Sequence, residues 1–190
     1  MKEKIPGNGI VTLAGGLRFG DLVVFQTEEV LGYKIISESL LEDLQDQEVN
    51  LHHIKFYNGP NKLKINSNVN QFPVNPDLGF ESFVEECIGY IDKLGDNDLV
   101  FFDCMTSLMS FWGSDWLAGY AYKMIAEKSR ERGVTSFIGM IKKCQRQFTV
   151  KKVADSASVI VRVIKDNVGR HCLLLRKAEG GNSNVIDKAY

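Results

Sequence analysis

With 190 residues, 44% apolar and 25% charged, the chain has the length and composition of one globular domain, which excludes disorder throughout. No apolar run approaches the ~20 residues that span a bilayer, and the opening MKEKIPGNG has no signal-peptide core, so a cytoplasmic protein without membrane contact is expected. The net charge of −1 hides a split: residues 130–190 carry 13 Lys/Arg against 5 Asp/Glu, and the rest of the chain is acidic. Head-to-tail self-association and an anionic partner on the C-terminal part both fit that split.

In chain order, Leu22–Phe25 reads as a buried strand and Tyr33–Leu44 as a helix. Ile35, Ile36, Leu40, Leu41 and Leu44 share one side of that helix. His52–Tyr57 is a second strand, closed by the turn former Asn58-Gly59-Pro60. Residues 61–78, Asn-rich with two prolines, are expected to be a long loop with at most one helical turn. Phe80–Leu94 is a helix, apolar on one face and acidic on the other. Leu99–Phe102 is a strand stopping at Asp103, and a helix runs from Asp115 to Glu131 with Gly133 as its stop. Val134–Ile141 is the fourth strand. The basic stretch KKCQRQFTVKK (142–152) follows, and Val159–Ile164 and His171–Arg176 close the chain as an antiparallel hairpin. The tail after Gly180 is polar and expected to fray. Strands alternating with helices predict an α/β domain covering residues 1–190, with a mainly parallel sheet flanked on both faces.

The chemistry-bearing residues are few. The four cysteines form no CxxC pair and read as thiols in a reduced compartment. His52 and His53 are adjacent on a strand and point to opposite faces, and His171 stands alone, so neither a metal site nor a cofactor is expected. The segment after the first strand, QTEEVLGYK (26–34), falls where a phosphate-binding loop, G-x-x-x-x-G-K-[ST], normally sits between strand and helix. In that frame Thr27 takes the first Gly position and Gly32 the second. Tyr33 replaces the Lys and Lys34 the Ser/Thr. Such a loop needs glycine dihedrals, a cation for the phosphates and a hydroxyl for Mg²⁺. Here Glu28 and Glu29 would instead face triphosphate, at about 4 kcal/mol per like-charge contact for ~4 Å and an effective dielectric of ~20. The reading favoured is a connection from strand to helix that has lost its phosphate role.

Six segments in order give a resemblance. GGLRFGDLVVF (15–25), HIKFYNGPNKL (53–63), DLVFFDCMTSL (98–108), RERGVTSFIGMI (130–141), VADSASVIVRV (153–163) and HCLLLRKAEGG (171–181) together resemble the RecA-like ATPases, above all the KaiC-type branch. The resemblance implies a RecA-like sheet with a closing hairpin. It places the family's water-activating glutamate at Tyr57-Asn58, where a phenol and an amide stand and neither is a general base near neutral pH. It places the Mg²⁺-holding acid at Asp103, for which the plainer reading is a strand-end Asp accepting from loop amides such as that of Thr106. It also places a Lys and an Arg that reach the neighbouring subunit's nucleotide at Lys177 and Glu179. The glutamate there would repel phosphate and could pair with a neighbour's Lys34.

Loop, base and trans-acting Arg are thus all replaced. The expected function is that of a catalytically inactive RecA/KaiC-like domain, a pseudo-ATPase, acting through association with itself or with an active paralogue. One alternative is single-stranded nucleic-acid binding through Lys142, Lys143, Arg146, Lys151 and Lys152. Another is ATP binding with an atypical loop. MTSLMSFWGSDW (105–116) concentrates Phe111, Trp112 and Trp116, which serve equally well as core or as a partner-binding patch.

Overall fold

The computed structural model describes residues 17–45, 47–58, 63, 65, 68–167, 169 and 171–178, the side chains of 177 and 178 excepted. The expected α/β architecture is present. Seven strands form one sheet: β1 (Leu22–Thr27), β2 (Asn50–Phe56), β3 (Asn70–Val74), β4 (Asp98–Phe102), β5 (Thr135–Ile141), β6 (Val159–Lys165) and β7 (His171–Ala178). Their spatial order is β3-β2-β4-β5-β1-β6-β7. All neighbours pair in parallel except β6 and β7, which form the antiparallel hairpin.

Successive side chains of a strand alternate between faces, so a central strand buried on both must be apolar throughout. The first four residues of β1 obey this: Leu22 and Val24 belong to one core layer, Val23 and Phe25 to the other. The first layer lies under α2 (Phe80–Ile91), the short α3 (Leu108–Trp112), α4 (Asp115–Arg132) and α5 (Gln147–Ser156). Under α1 (Val30–Leu44), the second layer runs from Leu51 of β2 to Leu173 and Leu175 of β7. One turn of chain, Leu17–Phe19, buries Leu17 and Phe19 in that second layer.

Helix ends follow local chemistry. Ser114 caps α4 by accepting the Leu117 N–H at 3.3 Å, and Gly133 stops the helix with φ 72°. Arg132 then donates to the Leu94 carbonyl at 2.9 Å, tying the end of α4 to the chain that leaves α2. α2 itself ends at Ile91 rather than Leu94.

The expected loop at 61–78 is corrected in its second half. Asn70–Val74 is a strand, paired in register with His52–Phe56, and Pro76–Leu78 is a single 3₁₀ turn. Pro73 is tolerated because β3 is the edge of the sheet, where a missing N–H interrupts no ladder on the outer side. Phe72 fixes the edge by stacking on Tyr90 of α2, ring centroids 4.1 Å apart. The other expected strands and helices lie within a few residues of their expected positions, although α1 begins at Val30, three residues before Tyr33, whereas α3 and α5 fall at the aromatic cluster and the basic stretch, to which the sequence assigns no element.

Gly133→Ala should cost about 1 kcal/mol, the penalty of a Cβ at positive φ, because the added atom would also press on the Asp96 carboxylate. A lower urea midpoint with unchanged slope is the expected observation.

Candidate functional site: the carboxyl edge of the sheet

Strand order brings the carboxyl ends of β1, β5, β4 and β2 side by side, the edge at which open α/β sheets bind ligands. What occupies that edge is protein. β1 ends at Thr27 and α1 begins at Val30, so only Glu28 and Glu29 connect them. Gly32, assigned to the second loop glycine, lies inside the first turns of the helix, is buried, and needs no glycine dihedral. Two residues are too few to wrap a triphosphate as a longer glycine loop does.

Tyr33, at the position of the loop lysine, points under α1 into the sheet and is 1% exposed. Its ring lies over Gly139 of β5: a Cβ at 139 would come within 2.5 Å of the ring. Phe25, Phe137 and Phe101 continue this aromatic row across β1, β5 and β4, with centroid separations of 6.1 Å from Tyr33 to Phe25, 6.3 Å to Phe137 and 4.5 Å to Phe101. At the far end of the ring, the hydroxyl donates to the carbonyl of Phe102 at 2.5 Å, with the Phe137 carbonyl at 3.4 Å. β4 and β5 pair only as far as Phe101 and Phe137, so the phenol enters where the two strands part. The Cys104 thiol fills the same fork and reaches the Gly139 carbonyl at 3.6 Å. Burial pushes the Tyr33 phenol well above its ordinary range and the Cys104 thiol up to about 11, so both stay neutral near pH 7.

Asp103 is 2% exposed and turned inward. One carboxylate oxygen accepts from His53 Nε2 at 2.9 Å and the other from the Phe56 N–H at 2.9 Å. The expected loop amide of Thr106 is not its partner. The Thr106 hydroxyl instead accepts the Ile141 N–H at 2.8 Å. The partners come from β2 because β2 and β4 are neighbours, so Asp103 spans the strands rather than capping its own loop. His52 faces the other way, as expected. Its Nε2 meets Asp98 at 3.1 Å and its Nδ1 meets the Tyr90 hydroxyl at 2.8 Å. A carboxylate only accepts, so each histidine presents Nε2–H to its aspartate.

The remaining assigned positions scatter. Tyr57 is 59% exposed, and Asn58 takes a left-handed turn conformation (φ 59°), which fits its reading as a turn former. Lys34 meets Glu38 one turn along α1, at 3.9 Å. Glu179 and the side chain of Lys177 lie outside the described residues, as do the tail after Gly180 and residues 59–62 and 64. Glu28 and Glu29 reach across to β6, the first to Arg162 at 3.9 Å and the second to Lys165. The Lys165 ammonium holds the Glu29 carboxyl below its usual range. Among the described residues no three His, Cys, Asp or Glu side chains gather where they could share a metal ion.

The basic stretch divides. Lys142 and Lys143 sit in the turn after β5, and Arg146 is the N-cap of α5, its own N–H donating to Asp115 at 2.8 Å. Lys151 and Lys152 lie on α5 itself. Lys152 sits 3.4 Å above the Tyr120 ring and 5.2 Å from Phe148. Trp116 packs on Tyr120, and Trp116 and Phe148 remain 50% and 54% exposed. The outer face of α4 and α5 is therefore aromatic and basic together. Phe148 was not singled out from the sequence, though its place inside the basic run was the available signal. The cluster at 105–116 splits between its two readings. Trp112 packs edge-on against Phe80 and Phe83 and donates to the Pro76 carbonyl at 3.0 Å, whereas Trp116 faces out.

The chain matches no protein-family model and no curated protein. No helix among the described residues is long and apolar enough to cross a membrane.

Tyr33→Phe should cost about 1–2 kcal/mol by stranding the Phe102 carbonyl, and Tyr33→Lys at least ~3 kcal/mol by burying an unpaired ammonium. Both are read from urea midpoints. The pH dependence has a definite sign. Tyr33's contribution is fully present below the unfolded phenol's ordinary value of 10.0 and is lost as pH rises above it towards the higher folded value, since only the unfolded chain releases the proton. Tyr33→Phe should therefore flatten the fall of stability above pH 10; an unchanged alkaline slope would contradict this placement.

Proposed function

We propose that this domain is a non-hydrolysing relative of the RecA/KaiC-type ATPases that acts by protein association. The observation that carries this reading is Tyr33: its ring and hydroxyl occupy the space beneath the helix where a phosphate-binding lysine would have to work. Three further features support it. The connection from β1 to α1 is two residues long. The position of the water-activating glutamate holds an exposed tyrosine and a turn asparagine. Asp103, the one acid that survives from the family pattern, has both oxygens engaged by β2. Since a family's fold and its chemistry are separable, the seven-strand order supports the fold and these residues support the loss.

For association, the face supplied by α4 and α5 is the best surface. Half-exposed Trp116 and Phe148, ringed by lysines and Arg146, combine apolar anchors with charge, as interface centres do. At the other end of the same helical layer, α2 presents Glu81 and Glu85 outward. A basic end and an acidic end on one face favour a head-to-tail contact between copies, or with a paralogue of similar build. Light scattering should show mass rising with concentration, and Trp116→Ala with Phe148→Ala should abolish the rise; a strict monomer at every concentration would count against self-association. In a thermal-shift titration Mg-ATP should leave the melting temperature unchanged. Saturable stabilisation near ~2.7 kcal/mol, the amount given by a ligand at 100 times its Kd, would restore nucleotide binding.

A second reading is favoured by the same face. Exposed aromatics beside Arg146, Lys151 and Lys152, with Lys142 and Lys143 in the turn that leads to α5, suit single-stranded nucleic acid, with phosphates on the cations and bases on the rings. Salt-sensitive binding of oligo-dT, weakened by about 1–3 kcal/mol in Phe148→Ala, would select it over protein association.

A further inference from the structure

A cavity of about 200 Å³ opens beside the amino end of α1. It lies on the β6–β7 side of β1, whereas Tyr33 fills the β5–β4 side. Thr27, Glu29, Gly32, Lys165 and His171 are among its walls. Two polar groups on those walls are at least nine-tenths buried and lack a hydrogen-bond partner among the described residues: Thr27 Oγ1, in a residue 1% exposed, and His171 Nε2, in a residue 8% exposed. Buried groups of this kind are normally satisfied, and here two unpartnered ones belong to side chains that line the same cavity. They converge over Gly32. The His171 ring and the Thr27 Cβ each lie 3.6 Å from the point a Cβ on Gly32 would take, so the helix backbone is open to both.

The chemistry of an occupant follows from the donors. α1 has 15 residues, and its N-cap residue, Glu29, makes no side-chain cap bond, which leaves the first-turn N–H groups and the positive end of the helix dipole uncapped by a side chain. The two glutamates at the rim do not reverse this sign, because Glu28 is matched by Arg162 and Glu29 by Lys165. A hydroxyl and an imidazole nitrogen, each able to donate, beside a helix N-terminus suit an acceptor bearing negative charge. At roughly 30 Å³ per water, the cavity admits about six or seven water-sized groups. That size accommodates a small anion with a short chain along Val163 and Ile164.

We propose that this cavity binds a small monocarboxylate, received by Thr27, His171 and the first-turn amides of α1. The test is an amide-resolved NMR titration of the full chain with sodium propionate, against propionamide as the neutral isostere and sodium chloride at equal ionic strength. Propionate should shift the Val30, Leu31 and Gly32 amides saturably with a Kd on the order of millimolar, and propionamide should bind at least about tenfold more weakly. His171→Ala and the isosteric Thr27→Val should each weaken propionate at least about tenfold. Thr27→Val keeps the side-chain volume, so the outcome stands even where His171→Ala fails to fold. No saturable shift up to about 100 mM propionate, equal binding of propionamide, or unchanged affinity in Thr27→Val would overturn the proposal. Inorganic phosphate binding as well as propionate would overturn the monocarboxylate assignment.

Discussion

The phenol of Tyr33 is the group on which the carboxyl edge of this sheet depends. β4 and β5 must part at their carboxyl ends, since β4 turns away into a 3₁₀ turn while β5 runs on to Ile141. Parting exposes carbonyls that no strand can satisfy, and a buried carbonyl without a donor is costly. Tyr33 supplies a donor at that fork, and its ring fills the space left by the missing side chain of Gly139. Phe25, Phe137 and Phe101 carry the packing on across three strands beneath α1.

One consequence is positional. On the proposed reading, a nucleotide at this edge would need the space Tyr33 holds, a cation where the phenol stands, and a longer turn before α1. Supplying the lysine alone would not open the site, because a lysine at 33 would enter the same apolar row. The acidic side is closed in the same way. His53 and the Phe56 amide hold Asp103 between β2 and β4, so the carboxylate braces the sheet. Tyr33 and Asp103, both at this edge, are engaged in holding strands together.

The sequence made the fold legible because β1 and β4 carry continuous apolar runs and because the longer helices have an apolar face or a clear stop, as Gly133 shows for α4. β3 was hidden because an edge strand with Pro73 and flanking asparagines has little apolar content to betray it. At the site, sequence reasoning located Thr27, Gly32, Tyr33 and Asp103 but could not give their directions. Whether Tyr33 turns outwards or under the helix depends on Gly139, more than a hundred residues away. That glycine, alone inside the apolar run TSFIGMI, was the available signal of close approach. The role of Asp103 depended likewise on β2 lying beside β4. The unsatisfied pair Thr27 and His171 had no signature in sequence at all, since their convergence exists only once β7 folds back beside β6.

The most direct test of the central claim is a crystal structure grown with millimolar Mg²⁺ and a non-hydrolysable ATP analogue. Tyr33 should remain buried over Gly139 with its hydroxyl on the Phe102 carbonyl, and no triphosphate should lie at the carboxyl edge of β1. A Tyr33 side chain swung out to solvent, with phosphates seated in its place, would contradict the account.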